Sequence, residues 1–444
     1  MESEQVKGCK VLHSGLLSKL GWPREGFTFR LNLSLKDLYD RLFLVLLVVD
    51  IVLRALWLDK PHGSLIFDEW YYVNVARVIL RLPQSVGSNG VAPYPDAPPG
   101  LDPNHEHPPL AKLIIALSMY FLGDNGFGWR IPSVIFGAIA VLIFYLLMKK
   151  ITNYKMVPLV AAFLFSFDNL VFIQSRIAIL DIFTLTFMLL AVYWYFSDHL
   201  YLSALTLSLS TLSKATGAAG FLLIGGFHLV KFLAGRSKTR SRNELLRWFE
   251  KYIAVYAISF LAILTILDRL WVGYSSPLAH LEYILNYSTA LVSACPNGII
   301  SCPWQWLLNQ IQIPYLVVNV QVTAGSVNKS FSSVSFLGAM NPAVLYLAIP
   351  AMLYAAYDYY QKKSDISLLS LVWVAVTYLP YFPAVIFGNR VTYIFYFLMA
   401  MPGVCAAIAH MIADQNPPKL VLIFYLAVVV LIFYFMFPFK MVPS

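Results

Sequence analysis

Two neighbouring carboxylates, Asp68 and Glu69, lie in a loop just beyond the first long apolar segment of the chain, which covers 42–58. A carboxylate at a membrane surface can take the proton from an attacking hydroxyl group, so this pair is a candidate for general-base catalysis. We expect Asp68 to be the base and Glu69 to support it, either by positioning Asp68 or by capping a helix N-terminus. The competing interpretation is an ordinary solvated pair of loop carboxylates.

A second set of charged residues stands at the ends of other apolar segments and has the chemistry to bind a phosphate. Arginine and lysine bind phosphate oxygens and stabilise the negative charge that builds on a departing phosphate group. A charge at membrane depth costs about 2.5–3.5 kcal/mol on insertion scales, so several charges on one face favour a functional site. The predicted donor-phosphate and substrate-binding residues are Arg54, His107, Arg130, Arg176, Asp181, Lys214 and Arg390.

Structural explanations compete with a binding role for some of these charges. Arg176 and Asp181 are five residues apart, and they could form a pair that closes a helix turn. Lys214 and Arg390 could simply extend their long side chains to the membrane interface. We favour phosphate contact for Lys214 and Arg390 and leave the role of the other two open.

The composition identifies an integral membrane protein. Hydrophobic residues make up 59% and charged residues 12% of the 444 positions, whereas soluble domains carry about 25% charged residues. The hydrophobic residues form blocks long enough for membrane-spanning helices. We therefore predict an all-α integral membrane protein of eleven spans, at 42–58, 131–148, 156–173, 177–196, 200–213, 215–233, 252–272, 342–358, 366–387, 391–412 and 418–438.

Within the first of these spans, Asp50 and Arg54 are four residues apart. This spacing places both side chains on one helix face and predicts an intrahelical ion pair. Arg54 could still reach a lipid donor from that position.

A further apolar segment, 108–123, is short and opens with two prolines. We expect it to lie at the outer membrane surface rather than to span. All basic clusters then fall on one side of the membrane, in the N-terminal tail, at 149–155, at 236–251 and at 362–363. The positive-inside rule makes that side cytosolic and the two long loops extracytoplasmic.

This topology divides the chain into four parts. Because the positive charges are assigned to cytosolic loops, the net charge of +9 does not indicate a nucleic-acid partner. No Gly-rich phosphate-binding loop is present, which argues against an ATP-driven pump. The predicted parts are a cytosolic tail at 1–41, a catalytic transmembrane module at 42–272 with an outer loop at 59–130, an outer loop at 273–341, and a C-terminal four-helix module at 342–444.

Two further groups in the outer loops invite interpretation. His105 and His107 could bind a divalent ion together with nearby carboxylates, but we predict no metal and no other cofactor. Cys295 and Cys302 have six residues between them. A disulfide between them is plausible in an oxidising exterior.

Four motifs in order along the chain resemble the protein O-mannosyltransferase family. The resemblance runs over roughly residues 60–220 and is weaker but present near 301–306 and 390–393. Any one of these motifs alone is weak evidence, whereas the ordered set is strong. The motifs are Phe67-Asp68-Glu69, the run His107-Pro108-Pro109-Leu110-Ala111-Lys112, the run from Gly126 to Ser133, and the run from Phe167 to Asp181.

The resemblance implies a fold, a reaction and roles for particular residues. Enzymes of this family are type C membrane glycosyltransferases that use dolichyl-phosphate mannose as donor. The resemblance implies that Asp68 is the base toward an acceptor Ser or Thr hydroxyl and that Arg130 is needed for activity. One base and a single displacement fit inversion of the anomeric configuration. The family's eukaryotic members carry a large domain where this chain has only the loop 273–341, so the resemblance favours an archaeal or bacterial member.

Two other functions keep parts of this interpretation. A related type C enzyme could transfer a sugar such as aminoarabinose to a lipid, although that branch has Lys at the position of His107. A transporter would need ionisable residues at mid-membrane, whereas most of them here stand at outer span ends. The predicted partners are thus a polyprenyl-phosphate sugar donor, a protein or peptide acceptor and the lipid bilayer, and the sequence leaves the oligomeric state open.

Overall fold

The computed structural model describes residues 33–324 and 327–441, and it describes the side chains of that range outside 321–331. Most of the predicted tail at 1–41 therefore lies outside the described residues. The described chain is a helical bundle with one β-hairpin.

The first half of the bundle contains nine helices in the described chain. Their starts follow familiar capping chemistry, since the side chains of Asp37 and Asn125 accept hydrogen bonds from the first-turn amides of the helices that they precede. The helices are α1 (Leu38–Ala55), α2 (Glu69–Leu80), α3 (Leu110–Leu122), α4 (Gly126–Ile151), α5 (Met156–Ser166), α6 (Asn169–Gln174), α7 (Asp181–Phe196), α8 (Leu200–Ser213) and, after a 3₁₀ turn at Ala215–Ala218, α9 (Ala219–Leu233).

The second half of the described chain contains the β-hairpin, with helices before and after it. Proline follows the N-cap residue of α11, α12 and α13, where a missing N–H costs nothing. The elements are α10 (Arg242–Leu267) with a π turn at Asp268–Val272, α11 (Pro277–Ala290), α12 (Pro303–Trp306), β1 (Ile313–Ala324), β2 (Val327–Gly338), α13 (Pro342–Lys362), α14 (Asp365–Thr377), α15 (Tyr381–Ile386), a 3₁₀ helix at Ile394–Ala400, α16 (Met401–Gln415) and α17 (Lys419–Met436).

Helix packing divides the bundle into two groups. Helix α7 packs between α4 and α8, and α8 in turn packs on α10. Helix α16 packs against α5, α13 and α14, and α4 joins the two groups through α5. The most buried apolar residues line α4, α5, α7 and α16, so the core runs through both groups.

Six described segments are long and apolar enough to cross a membrane. They are Gly126–Ile151, Ala215–Leu233, Arg242–Val272, Asp365–Ile386, Ile394–Gln415 and Lys419–Met436. Every one of the eleven predicted spans overlaps a helix, but several of those helices are shorter, so the count of eleven stays a prediction. Helix α3, at 13 residues, is only about 20 Å long and too short for a hydrocarbon core of about 30 Å.

The loop at 273–341 contains a β-hairpin, which the sequence analysis did not predict. Strands β1 and β2 pair antiparallel, with irregularities after Pro314 and after Val318. Three amide side chains hold the base of the hairpin to the bundle. Asn169 donates to the carbonyl oxygens of Leu337 and Ala339, Gln174 donates to the hydroxyl of Tyr315, and Asn309 donates to the carbonyl of Met340. The hairpin is thus fastened next to the motif that runs from Phe167 to Asp181.

Candidate active site

Asp68 stands immediately before helix α2, at the N-cap position. The residue before it, Phe67, has a positive φ of 55°, which is uncommon for a bulky residue. The side chain of Asp68 makes no capping hydrogen bond to the helix. Among the described residues, no group donates a hydrogen bond to the Asp68 carboxylate, so its proton-accepting atoms are not committed to the fold.

Burial and neighbouring charges shift the pKa of Asp68. The pKa is raised to about 7, and loss of solvation is the largest cause; the positive charge of Lys214 lowers the pKa, and the negative charges of Asp181 and Glu106 raise it. A carboxylate with a pKa near 7 is an effective general base at neutral pH, since it is partly ionised and still basic.

Lys214 and Asp181 form an ion pair beside Asp68. The ammonium group donates to both carboxylate oxygens of Asp181 at 2.9 Å, and both side chains are buried. Lys214 caps the end of α8 in extended conformation before the 3₁₀ turn. That turn approaches α8 closely at Gly217, where a Cβ atom would stand 2.5 Å from the backbone of Ser210. The sequence predicted both residues, but the partner of Asp181 is Lys214 rather than Arg176.

Arg390 supplies a second positive charge to the same region. It is half-buried, and one guanidinium nitrogen donates to the carbonyl of Leu291 at 3.2 Å. Within 33–324 and 327–441 it forms no ion pair. Its charge lowers the pKa of His107, although burial lowers that pKa most and Lys214 and Lys112 also contribute. His107 is therefore neutral at physiological pH, which leaves Arg390 as an uncommitted cation at the site.

Tyrosine side chains form a wall around Asp68. Burial raises the pKa of Tyr72 and Tyr315, and the charge of Asp68 raises the pKa of both further. Tyr315, in β1, stacks on the ring of Phe67 with centroids 4.3 Å apart. Tyr393 is also within reach of the charge of Asp68. These phenols stay protonated at neutral pH and can therefore donate hydrogen bonds to a sugar or peptide.

Glu69, next to Asp68, is fully buried and bound on both oxygens. One oxygen accepts from Arg130 Nε and the amide of Ala178, both at 2.8 Å. The other accepts from Arg130 Nη2 at 2.8 Å and the amide of Ile66 at 2.7 Å. Glu69 therefore ties the loop before α2 to α4 and to the segment before α7. We call Glu69 and Arg130 together the latch.

All five N–H groups of Arg130 are used within the protein. Besides the two bonds to Glu69, Arg130 donates to the backbone carbonyl groups of Leu58, Lys60 and Ser64. The sequence analysis predicted that Arg130 binds the donor phosphate. In this arrangement it has no free N–H for a phosphate, because it fixes the shape of the loop that carries Asp68.

Arg54 and Arg176 are also enclosed by the fold. Arg54 forms the predicted intrahelical ion pair with Asp50 at 2.7 Å, with both side chains buried. Arg176 donates to the carbonyl groups of Leu53 and Leu56, at the end of α1, and aromatic rings including Phe439 surround its guanidinium. Neither arginine contacts the Asp68 region, so the predicted phosphate contacts of these two residues do not fit the structure.

The His105–His107 loop is held by Lys112. Lys112 is fully buried, pairs with Asp102 at 2.6 Å and donates to the carbonyl of His107 at 2.9 Å. The described residues contain no group of three or more potential ligands that could hold a metal.

A disulfide joins Cys295 and Cys302 in the loop that follows α11. This loop also carries a bridge between Val292 and Arg390. The disulfide therefore lies in the segment that supports the uncommitted cation.

Sequence reasoning missed two contributors to the site. The negative charge of Glu106 raises the pKa of Asp68. Sequence reasoning missed this effect because Glu106 lies between two histidines that suggested a metal site. Tyr315 comes from a hairpin far along the chain. No local signal connected Tyr315 with Asp68, because only the tertiary fold brings β1 to that loop.

Comparisons with known proteins find relatives among membrane glycosyltransferases. A family model described as dolichyl-phosphate-mannose-protein mannosyltransferase matches residues 106–268. A polyprenol-phosphate-mannose–protein mannosyltransferase of Mycolicibacterium smegmatis is 25% identical over 462 aligned positions, which cover 87% of this chain and 86% of the relative. An undecaprenyl phosphate-4-amino-4-deoxy-arabinose arabinosyl transferase of Pseudomonas aeruginosa is 29% identical over 212 positions, which cover 46% of this chain and 35% of the relative.

The fold has a counterpart among solved structures. The protein O-mannosyltransferase Pmt1–Pmt2 complex of S. cerevisiae, bound to its sugar donor, contains a chain that superposes with a TM-score of 0.67 at 13% identity. The superposition covers 91% of this chain and 90% of that chain. Together with the ordered motifs around Asp68, these matches identify the chain as a membrane glycosyltransferase of the type C fold that is similar to the protein O-mannosyltransferases.

Proposed function

We propose that this enzyme transfers mannose from a polyprenyl phosphate to Ser or Thr hydroxyl groups of proteins at the extracytoplasmic face of the membrane. The observation that carries the proposal is the Asp68 carboxylate. It is uncommitted, its pKa is raised to about 7, and the positive charge of Lys214 acts on it. Arg390 acts together with Lys214 on the pKa of His107 in the same region. The names of the mycobacterial relative and of the matched family support the choice of donor and acceptor.

The proposed reaction is a single displacement. Asp68 takes the proton of the acceptor hydroxyl as its oxygen attacks the anomeric carbon of mannose. The bond from that carbon to the phosphate oxygen breaks, and its electron pair leaves with the polyprenyl phosphate. The anomeric configuration is inverted because attack and departure occur on opposite faces, and no second carboxylate nucleophile is needed.

Arg390 and Lys214 both contact the donor phosphate, with different numbers of available N–H groups. Arg390 has free N–H groups and can approach the phosphate directly, which suits a planar guanidinium. Lys214 uses two of its N–H directions on Asp181, which leaves one for the phosphate. The departing negative charge is stabilised by both, in a site where burial strengthens each interaction.

The latch and the two enclosed arginines act at a distance from the chemistry. Glu69 and Arg130 fix the loop that carries Asp68, so we assign them positioning roles. Arg54 and Arg176 join the end of α1 to helix α6 and to the segment that follows it. They stabilise the scaffold rather than bind donor.

The extracytoplasmic placement of the site rests on charge distribution. The basic clusters at 149–155, 236–251 and 362–363 lie at the opposite ends of their helices from the Asp68 loop and the hairpin. The positive-inside rule assigns those clusters to the cytosol. The site then faces the outside, where the polyprenyl donor enters from the bilayer and the acceptor from water.

A second function, transfer of a sugar to a lipid, is favoured by one observation. A stretch that covers 46% of the chain matches the arabinosyl transferase of Pseudomonas aeruginosa at 29% identity. The protein acceptor has more support, because the mannosyltransferase of Mycolicibacterium smegmatis matches along most of the chain.

A direct assay tests the proposed function and separates the two acceptors. Purified enzyme is mixed with radiolabelled polyprenyl-phosphate mannose and either a peptide with one Thr, the same peptide with Ala at that position, or a lipid A acceptor. We expect label only in the Thr peptide, and none with the Asp68→Asn variant. Label in lipid A, or equal label in the Thr and Ala peptides, would overturn the proposal.

A further inference from the structure

We propose that the open edge of strand β1 binds the acceptor polypeptide as an added β-strand and leads its hydroxyl residue to Asp68. This inference rests on the proposed function, since it takes the acceptor to be a protein. It assigns a further role to the hairpin at 313–338, which also supplies Tyr315 to the wall around Asp68.

The opposite edge of the hairpin is already occupied. The amide of Ser335 donates to the carbonyl of Pro438 at 2.7 Å, and the amide of Lys440 donates to the carbonyl of Ser333 at 2.9 Å. The chain segment around Phe439 thereby forms a short third strand on β2. Around Val334, β2 is therefore closed to an incoming strand by the described chain end, and β1 offers the open edge.

The register identifies which backbone groups of β1 point outward. Because Ser333 and Ser335 face the chain end, Val334 between them faces β1, and Val334 pairs with Val318. In an antiparallel pair of strands, two directly opposite residues either exchange hydrogen bonds through their backbone N–H and C=O groups or both turn these groups away from the partner strand. Val317, opposite Ser335, therefore turns its N–H and C=O away from β2, and neither group has a partner among the described residues.

The side chains of this edge are exposed as well. Val317, Val318 and Val320 are 42%, 37% and 38% exposed. Folded proteins usually protect long apolar edge strands with charges, prolines or a covering segment, because such edges recruit other strands. This stretch of β1 carries no charge, and its only proline, Pro314, stands at its start. Peptide recognition by strand addition uses edges of this kind.

The base of β1 connects this edge to the catalytic residue. The ring of Tyr315 stacks on Phe67, directly before Asp68, and its hydroxyl accepts a hydrogen bond from Gln174 at 2.9 Å. Gly338 makes room for that ring, since a Cβ atom there would stand 2.6 Å from it. Tyr315 therefore holds β1 in a fixed position relative to the base.

The distances of a β-sheet suit delivery of a hydroxyl to Asp68. Val317 is two residues from Tyr315, which corresponds to about 7 Å along a strand, and an added strand would lie about 4.8 Å beside β1. An extended acceptor paired at Val317 thus reaches the Asp68 region within two or three of its own residues.

The test removes the outward N–H of Val317 from the full-length enzyme. Proline is tolerated on sheet edges because the bond it deletes faces outward, so Val317→Pro keeps the β1–β2 pairing. Val317→Thr, which retains the N–H, is the matched control. We expect Val317→Pro to raise the KM for a Thr peptide at least fivefold. The KM for polyprenyl-phosphate mannose and its slow hydrolysis by water should not change, and Val317→Thr should behave as wild type.

Backbone N-methylation of the acceptor peptide gives an independent readout. Methyl groups at alternate positions should reduce transfer, and those at the positions between should not, because every second amide of an added strand faces β1. Equal effects at all positions, or an unchanged peptide KM for Val317→Pro, would overturn the proposal. So would dissociation of a dimer by Val317→Pro, because a second copy would then hold this edge. If wild-type enzyme labels no peptide, the proposed function fails instead.

Discussion

Asp68 and Glu69 are adjacent carboxylates with opposite surroundings. Glu69 is fully buried and accepts four hydrogen bonds, whereas Asp68 accepts none within the described chain and has a pKa raised to about 7. The charge of Glu69 is stabilised by the protein, and that of Asp68 is destabilised by it. A carboxylate group can therefore hold the fold together or act as a reactant, and its hydrogen-bond partners decide which.

The cations repeat this contrast. Arg130 uses every N–H within the latch, while Arg390 makes one hydrogen bond and no ion pair among the residues described. A reactive site needs groups with unused bonding capacity, and a rigid scaffold needs groups with none. The predictions below test whether this division between site and latch holds.

Replacing Asp68 by Asn should have the largest effect on activity. It removes the base while keeping the shape, so we expect mannosyl transfer to fall at least about 10³-fold. Expression and donor binding should stay near wild type, because no fold contact depends on the carboxylate. Initial rates with labelled donor measure the loss. Turnover at the wild-type level would refute the base assignment.

Replacing Glu69 by Gln should have the largest effect on stability. The change leaves the Arg130 charge buried without its partner, which typically costs about 3–5 kcal/mol. We expect a lower thermal midpoint and a low yield of folded enzyme. Asp198→Asn is the control, since it breaks an exposed ion pair with Lys238, where the expected cost is below about 1 kcal/mol. Equal midpoints for the two variants would contradict the latch.

Replacing Arg390 by Ala should weaken donor binding with little change in stability. A hydrogen bond to a charged group contributes about 1.5–3 kcal/mol, so we expect the KM for the donor to rise about 10- to 100-fold. Arg390→Lys should recover part of the loss, because lysine keeps the positive charge but lacks the planar guanidinium group. Steady-state kinetics at varied donor concentration measure this. An unchanged donor KM would place the phosphate elsewhere.

The pH profile of the wild type should report Asp68 directly. A base works in its ionised form, so kcat/KM should fall about tenfold for each pH unit below a pKa of about 7. Activity of Arg390→Ala should show the same profile at a lower level. A flat profile between pH 5 and 8 would show that the titrating carboxylate is not the base.

The smallest expected effect concerns the pH dependence of stability. The folded pKa of Asp68 is raised, so the folded state holds the proton more tightly than the unfolded state, and stability is lost as pH rises from about 4 through about 7. Asp68→Asn removes this loss. Its thermal midpoint should exceed the wild-type midpoint at pH 8 by about 2–4 °C and match it at pH 4. A lower midpoint at pH 8 would mean that the Asp68 charge stabilises the fold.

The site residues were easier to predict than their roles. Sequence motifs selected Asp68, Lys214 and Arg390, since charges at the ends of apolar segments stand out. The same reasoning also selected Arg54 and Arg176. It could not separate the two kinds of arginine, because a charge with a backbone carbonyl as partner leaves no trace in the sequence.

The hairpin and the pairing of Lys214 with Asp181 were beyond local reasoning for a related reason. The hairpin lies in a loop, and no neighbouring segment of the sequence indicated a sheet. The contact between Tyr315 and Phe67 joins residues more than 200 positions apart in the chain. Contacts of that kind depend on how helices pack, which periodicity does not encode.

The sequence was enough to predict a helical membrane protein, its similarity to the protein O-mannosyltransferases and Asp68 as the candidate base. Composition and motif order are local properties, and they suffice for those conclusions. Only the tertiary structure shows which charged groups use their hydrogen-bonding capacity within the fold and which do not. That division depends on the number of hydrogen-bond partners around each group, and only the packed chain supplies them.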